Sequence, residues 1–143
     1  MRQPPADNIF GKILKAEIPS WEVYADELTY AFLDIFPQAP GHTLVIPRSY
    51  SEHILECSEE DLVACLRTVR RLMPVVRDAV GAGGVTVLTN TGRDAGQSVP
   101  YLHFHIIPRS GSDRVSLYKP GVQLSEEEAV HTQQLIRSRL TQS

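Results

Sequence analysis

Long apolar runs are missing from this 143-residue chain. No stretch approaches the roughly 20 apolar residues that a membrane-spanning helix needs, and the opening MRQPPADNIF has no apolar segment of secretory length. Cysteine is also scarce, because Cys57 and Cys65 are the only two and they form no Cys-x-x-Cys pair. The sequence therefore predicts a cytoplasmic protein with two free thiols and no membrane partner.

An excess of positive charge is missing as well. The chain has 14 Lys and Arg against 17 Asp and Glu, a net charge of -3, and no basic run. Because a nucleic-acid backbone needs a basic surface to neutralise its phosphates, no nucleic-acid partner is expected. The 42% hydrophobic content is typical of a globular protein, and we expect one domain over residues 1–143.

Three helices are predicted by the spacing of apolar residues. Asp7 is expected to cap a short N-terminal helix over residues 8–17, in which apolar residues form a core-facing stripe. Steps of three and four residues over 62–80 predict a long central helix, with a kink or a break at Pro74. A capping box at 125–128 starts a C-terminal helix.

Five β-rich runs are predicted to be strands: residues 21–24, 29–33, 42–46, 85–89 and 102–107. A parallel sheet would need a helix after nearly every strand, and the sequence does not supply one. The order of elements therefore predicts an α+β fold with a mainly antiparallel five-stranded sheet.

The last predicted strand carries two histidines on one face. Side chains alternate along a strand, so Leu102, Phe104 and Ile106 share one face while His103 and His105 share the other. The Cα atoms of the two histidines are expected to lie about 6.5 to 7 Å apart, so that both rings can contact one ligand.

Several interpretations of the histidine pair are open from the residues alone. Both side chains can be ordinary hydrogen-bonded strand histidines, or they can act in nucleophilic or acid–base catalysis near neutral pH. They can also hold a metal, which would need further donors, and His42 and Asp34 are the candidates.

The segment before the histidines, NTGRDAGQS at 90–98, is small in side-chain bulk and rich in amides and hydroxyls. Such a loop can offer neutral hydrogen-bond donors to an anion, and it can equally be a plain solvated loop.

These motifs resemble the histidine triad (HIT) family of nucleotide hydrolases and transferases. The resemblance rests on GQSVPYLHFHIIPR, on NTGRDAG before it and on LDIFPQAPGHTLVIPRSY upstream. It covers about residues 8–109, which leaves 110–143 as a C-terminal extension. The family fold implied is the HIT-like α+β fold, and the family's usual assembly implies a homodimer.

The resemblance implies a role for each matching residue. His103 corresponds to the nucleophile that forms a nucleotidyl-histidine intermediate, and His105 to the histidine that contacts the phosphate and the leaving group. His42 corresponds to a supporting histidine, and Asp34 to the carboxylate that binds the ribose hydroxyls. The phosphate site corresponds to Asn90, Gly96, Gln97 and Ser98, of which Gln97 and Ser98 also serve catalysis. The apolar wall around the base corresponds to Ile9, Phe10, Phe32 and Ile35.

The chain departs from the family pattern at positions that hold a structural zinc in many relatives. Tyr101 stands where the family motif begins with a histidine, and the other zinc-ligand positions are Asn8, Gly11 and Tyr50. Because all four ligands are missing together, the resemblance implies a zinc-free variant with no metal and no other cofactor.

The expected function is hydrolysis of a phosphoramidate or phosphoanhydride bond at the α-phosphate of a purine nucleotide, with AMP as a typical product. One alternative is a dinucleoside polyphosphate hydrolase. Another is a nucleotide-binding or sensor module of low activity, because Tyr101 replaces the first triad histidine. A third is a metal enzyme that uses His103, His105 and His42.

Overall fold

The computed structural model describes residues 1–113, 115 and 122–140, so part of the C-terminal extension lies outside the described residues. The strands are β1 (Glu22–Ala25), β2 (Thr29–Leu33), β3 (Thr43–Pro47), β4 (Gly84–Leu88) and β5 (Phe104–Arg109). The helices are α1 (Ile9–Leu14), α2 (Glu59–Ala79) and α3 (Glu126–Leu140). One antiparallel sheet has the strand order β1-β2-β3-β5-β4. The predicted α+β class and five-stranded sheet are confirmed.

The cap of α1 differs from the prediction. Asn8, and not Asp7, caps this helix, because its Oδ1 accepts the N–H groups of Phe10 and Gly11 at 3.1 Å each. The helix ends at Leu14, before the predicted end, and Ala16 adopts a left-handed φ of 58° that no right-handed helix can contain.

The central helix α2 is continuous from Glu59 to Ala79 and runs through Pro74, so the predicted break does not occur. Ser58 caps it by accepting the Asp61 N–H at 3.1 Å. Leu66, which the spacing placed on the buried side, is 45% exposed. The spacing correctly placed Val69 and Val76 on the buried face, which also carries Cys65, Thr68 and Leu72.

The predicted capping box of α3 is confirmed. The Glu128 N–H donates to Ser125 Oγ at 3.2 Å, and the Ser125 N–H donates to a Glu128 carboxylate oxygen at 3.3 Å. Among the described residues, no helix is both long and apolar enough to cross a membrane.

The sheet separates two apolar clusters, since alternate side chains of each strand point to opposite faces. Helix α2 covers one face, where its residues pack against Ala31, Val45, Leu102, Phe104 and Ile106. The second cluster, on the α1 face, consists of Phe10, Phe32, Leu44, Ile46 and Tyr101.

The register between β3 and β5 brings distant parts of the chain together on the α1 face. Leu44 pairs with His105, and Val45 pairs with Phe104. His42, immediately before β3, accepts the Asp34 N–H at 2.9 Å through its carbonyl. His42, Asp34 and His105 are therefore neighbours, although about 70 residues separate Asp34 from His105 in the chain.

Candidate active site

A cavity of about 600 Å³ opens on the α1 face of the sheet. This is within the size range typical of small-molecule sites. One side is apolar and the other carries histidines, a carboxylate and the 90–98 loop. Of the residues predicted to form the site, the lining includes Ile9, Phe10, Phe32, Asp34, Ile35, His42, Asn90, Gly96, Ser98, His103 and His105.

The apolar wall is formed mainly by α1 and β2. Phe10 and Phe32 are buried and meet edge to face, with ring centroids 5.3 Å apart. Ile9 is 44% exposed and Ile35 is 66% exposed, so the expectation that Ile9 is a core residue is wrong. Exposed apolar side chains that line a cavity favour the binding of an apolar ligand surface, because the ligand removes them from water.

The predicted nucleophile, His103, is buried and held in one tautomer. Its Nδ1–H donates to the backbone carbonyl of Tyr101 at 2.7 Å, since a carbonyl can only accept. The Phe10 ring and the imidazole meet edge to face, with centroids 5.1 Å apart and planes at 90°. The lone pair of a neutral His103 is therefore on Nε2.

The second and third histidines form a directed chain of hydrogen bonds. The Gln38 N–H donates to Nδ1 of His42 at 3.0 Å, so the proton of a neutral His42 is on Nε2. That Nε2–H lies 2.9 Å from Nδ1 of His105 and 3.5 Å from a carboxylate oxygen of Asp34. His105 therefore accepts at Nδ1 and keeps its own proton on Nε2, as a hydrogen-bond donor.

Burial keeps these imidazoles neutral. The pKa of His105 is lowered to about 4, mainly by burial and also by the nearby His103 and His42, while Asp34 opposes the shift. Burial also lowers the pKa of His103, against the hydrogen bond to Tyr101. The pKa of His42 is likewise lowered by burial, although the Asp34 carboxylate raises it. A site near neutral pH thus contains unprotonated nucleophilic nitrogen.

The same hydrogen bonds argue against a metal at Asp34, His42 and His105, whose ligand atoms lie within 4.8 Å of one another. A metal on Nε2 of His42 would put the proton of the neutral ring on Nδ1, where the Gln38 N–H already donates. The Gln38 N–H and the His42 Nδ1–H would then face each other as two buried donors, which would destabilise the metal-bound state.

The 90–98 loop is folded tightly by two glycines. Gly92 and Gly96 have φ values of 89° and 95°, which side chains with a Cβ rarely adopt. Between them, Arg93–Ala95 forms a single 3-10 turn. This geometry presents Asn90 and Ser98 to the cavity.

Gln97 has a different position from the one predicted, because its side-chain amide lies inside the loop structure and is absent from the cavity lining. Its Oε1 accepts the Gly92 N–H at 2.8 Å, and its Nε2 donates to the carbonyls of Glu52 and Val99 at 2.6 and 3.1 Å. Gln97 therefore supports the loop, while its neighbours Gly96 and Ser98 line the cavity.

Tyr101, the departure from the family motif, is fully buried. Its hydroxyl donates to the carbonyl of Pro47 at 2.7 Å and also lies 3.2 Å from the carbonyl of Arg48. Burial raises the pKa of this phenol, so it remains a donor. The Tyr101 side chain is hydrogen-bonded to the end of β3, while the Tyr101 backbone carbonyl orients His103.

The four positions that correspond to zinc ligands do not fit a zinc ion. Asn8 offers an amide that is already hydrogen-bonded, Gly11 has no side chain, and Tyr50 and Tyr101 pack edge to face with centroids 5.3 Å apart. Zinc prefers cysteine, histidine or carboxylate ligands, and these four residues supply none.

Comparison with known proteins identifies the family. A family model for the HIT domain matches residues 15–112, well over half of the chain. The chain belongs to the histidine triad (HIT) family. It is 44% identical over 103 residues to the protein hit of Bacillus subtilis, covering 72% of this chain and 71% of the relative.

Two other HIT-family relatives extend the likeness. An adenosine 5'-monophosphoramidase of Schizosaccharomyces pombe is 38% identical over 121 residues, which is 84% of this chain and 88% of the relative. The crystal structure of a HIT family member from Bacillus subtilis superposes with a TM-score of 0.81 at 36% identity, covering 93% of this chain and 96% of that one. The family match therefore covers residues 15–112, and the likeness in fold covers 93% of the chain.

Some residues of the HIT site were missed by sequence reasoning. Leu44 lines the cavity, and its alternation with His42 along one face of the strand could have revealed it. Ile13 lines it too and belongs to the apolar stripe of α1. Gln38 acts through its backbone N–H, which no side-chain pattern can signal.

Proposed function

We propose that this HIT-family chain is a nucleotide hydrolase that cleaves a phosphoramidate bond at the α-phosphate of a purine nucleotide and releases AMP. The observation that carries the proposal is the 2.7 Å hydrogen bond from His103 Nδ1 to the carbonyl of Tyr101. It leaves the lone pair of a buried, neutral imidazole on Nε2, which is the requirement for nucleophilic attack on phosphorus. The adenosine 5'-monophosphoramidase relative supports the substrate class.

The cavity suggests how the nucleotide binds. The base lies against the apolar wall of Ile9, Phe10, Phe32 and Ile35, where it covers exposed side chains. The Asp34 carboxylate accepts the ribose hydroxyls. Asn90 and Ser98, with the backbone of the loop at Gly96, bind the phosphate oxygens.

The reaction takes two steps. In the first, His103 Nε2 forms a bond to the α-phosphorus while the phosphorus–nitrogen bond of the substrate breaks, and the leaving amine takes up a proton from the solvent. The His105 Nε2–H donates a hydrogen bond to the phosphoryl group or to the leaving group during this step. Water then cleaves the bond between His103 and phosphorus, which releases AMP and a proton and restores neutral His103.

Charge in the cavity favours a phosphoramidate over a polyphosphate. Among the described residues that line the cavity, none is Lys or Arg, whereas Asp34 contributes a carboxylate. A phosphoramidate monoester carries one negative charge at the reacting group, while a polyphosphate chain carries several and would be repelled more strongly. Dinucleoside polyphosphates are therefore the second substrate class to test.

The resemblance to the HIT family also carries the proposal that two chains assemble as a homodimer. Light scattering on the purified protein tests this point by itself. A mass near 15.9 kDa, that of one chain, would contradict it.

The decisive experiment is intact-protein mass spectrometry after brief mixing with adenosine phosphoramidate, with release of AMP counted in parallel. The wild type should acquire one acid-labile adenylyl group, and His103→Ala should acquire none and release no AMP. His53→Ala is the matched control, because that histidine does not line the cavity. Binding of AMP without any adduct or turnover would instead identify a nucleotide-binding module.

A further inference from the structure

Asn8 makes more contacts than an ordinary helix cap. It is 6% exposed, and its Oδ1 accepts two N–H groups at the start of α1. Its Nδ2 donates to the carbonyl of Pro100 at 3.1 Å, across 92 residues of sequence. One small side chain therefore joins the first helix to a distant part of the chain.

The two ends of this connection both belong to the site. Helix α1 supplies Phe10, whose ring contacts the imidazole of His103. Pro100 directly precedes Tyr101, whose carbonyl accepts the proton of His103 Nδ1. A shift of Pro100 would therefore move the group that selects the tautomer of His103.

We propose that Asn8 is a positioning residue for His103, which acts by holding the Pro100–Tyr101 backbone against the start of α1. The expected effect on kcat rests on the proposed function, whereas the expected effect on the position of His103 does not. The side-chain amide of Asn8 thus links α1 to the Pro100–Tyr101 segment. Asn8 stands at a position that corresponds to a zinc ligand in many relatives, and the residues at these positions in this chain do not fit zinc. On the other side of Tyr101, the Leu102 N–H donates to the carbonyl of Ser51 at 2.7 Å, so the peptide group that contains the Tyr101 carbonyl is held at this end as well.

The packing of α1 supports this assignment. A Cβ at Gly11 would collide with the ring of Pro4, so the first turn of α1 is enclosed by the N-terminal segment. Because this turn is enclosed, the Asn8 backbone is held in place while its Nδ2 donates to the Pro100 carbonyl. A rigid support of this kind is required to hold a reacting group within about 0.5 Å of its working position.

The test is Asn8→Asp. Aspartate caps helices as well as asparagine does, so α1 should persist, but a carboxylate cannot donate to the Pro100 carbonyl and repels it. We expect kcat for adenosine phosphoramidate to fall about tenfold, with KM changed less than about twofold. In ¹⁵N-histidine spectra, the Nδ1–H signal of His103 should weaken or exchange faster than in the wild type.

Two further variants make the result specific. Ser58→Asp changes the cap of α2, where the Ser58 hydroxyl accepts the Asp61 N–H, and should leave both readouts unchanged. Asn8→Ser keeps a capping oxygen without a negative charge and without a donor long enough to reach Pro100. It should reproduce the loss in kcat, and it serves as the test if the aspartate variant does not fold.

The outcomes separate this inference from the proposed function. Unchanged kcat and an unchanged His103 signal in folded Asn8 variants would overturn it, as would a change in melting temperature alone. If the wild type shows no turnover, the proposed function fails, and the histidine spectra still decide whether Asn8 positions His103.

Discussion

His103 is oriented by the backbone of Tyr101 and not by its side chain. The carbonyl oxygen of Tyr101 lies 2.7 Å from His103 Nδ1, whereas the Tyr101 hydroxyl is bonded to Pro47 at the other end of the ring. Since every residue has a carbonyl, the contact to His103 does not depend on which side chain stands at position 101. A tyrosine in place of the first motif histidine therefore still supplies the carbonyl that orients His103.

The first prediction concerns Tyr101→Phe. The substitution removes the hydroxyl that donates a buried hydrogen bond to the Pro47 carbonyl. It should therefore lower the free energy of unfolding by about 1 to 3 kcal/mol. It should leave kcat within about twofold, because the carbonyl that holds His103 is unchanged. Urea unfolding and steady-state kinetics measure the two effects. A large loss of kcat at full stability would show that the hydroxyl takes part in the reaction.

The second prediction concerns the ribose. Asp34→Asn should raise KM for a ribonucleoside phosphoramidate about tenfold, because it removes a charged acceptor for the hydroxyls. The Phe36 N–H can still donate to the remaining side-chain oxygen, as it does to Asp34 at 2.8 Å, so the local turn should persist. The 2',3'-dideoxy substrate is the control, since it lacks both hydroxyls. An equal loss for both substrates would contradict a ribose contact.

The third prediction concerns stability at acid pH. His105 has a pKa of about 4 in the folded protein, below its ordinary value of 6.5. Between these two pH values the unfolded chain binds a proton at this residue and the folded chain does not. Stability is therefore highest above pH 6.5 and falls as the pH drops towards 4, by up to about 1.4 kcal/mol per pH unit for this one group.

Urea unfolding at a series of pH values measures this slope. His105→Asn is the matched variant, because asparagine can accept the His42 Nε2–H and does not titrate. Its unfolding free energy should depend less on pH between 6.5 and 4. The same slope in both proteins would show that His105 is not the group responsible.

The fourth prediction concerns metals. Dialysis against a strong chelator should leave the hydrolysis of adenosine phosphoramidate unchanged, because Nδ1 of His42 accepts the Gln38 N–H and this bond opposes metal ligation at Nε2. Activity before and after chelation, with total metal measured by mass spectrometry, tests this. Activity that disappears and returns with added zinc would support the metal enzyme that the histidine pattern left open.

Much of the candidate site could be predicted from the sequence because its signals are local. The alternation around His103 and His105 places both on one face, and that face depends only on the period of a strand. Helix ends depend on more than local signals. Asp7 and Asn8 are both good capping residues, and in the folded protein Asn8 caps α1 and also donates to the distant Pro100 carbonyl.

Gln97 shows a different kind of limit. Its amide could bind a phosphate or support its own loop, and both roles suit the same residue type. The carbonyl of Glu52, 45 residues earlier in the chain, accepts its Nε2–H and places the side chain in the supporting role.

The sequence by itself determined the class of fold, the shared face of the two histidines and the set of side chains available for chemistry, because periodicity and residue type are properties of the chain. Only the tertiary structure decided which nitrogen of each imidazole carries the proton. Those protons are assigned by backbone groups of Gln38 and Tyr101 and by the meeting of His42 with His105, 63 residues apart. That meeting depends on the register of β3 against β5, which the packing of both faces of the sheet selects.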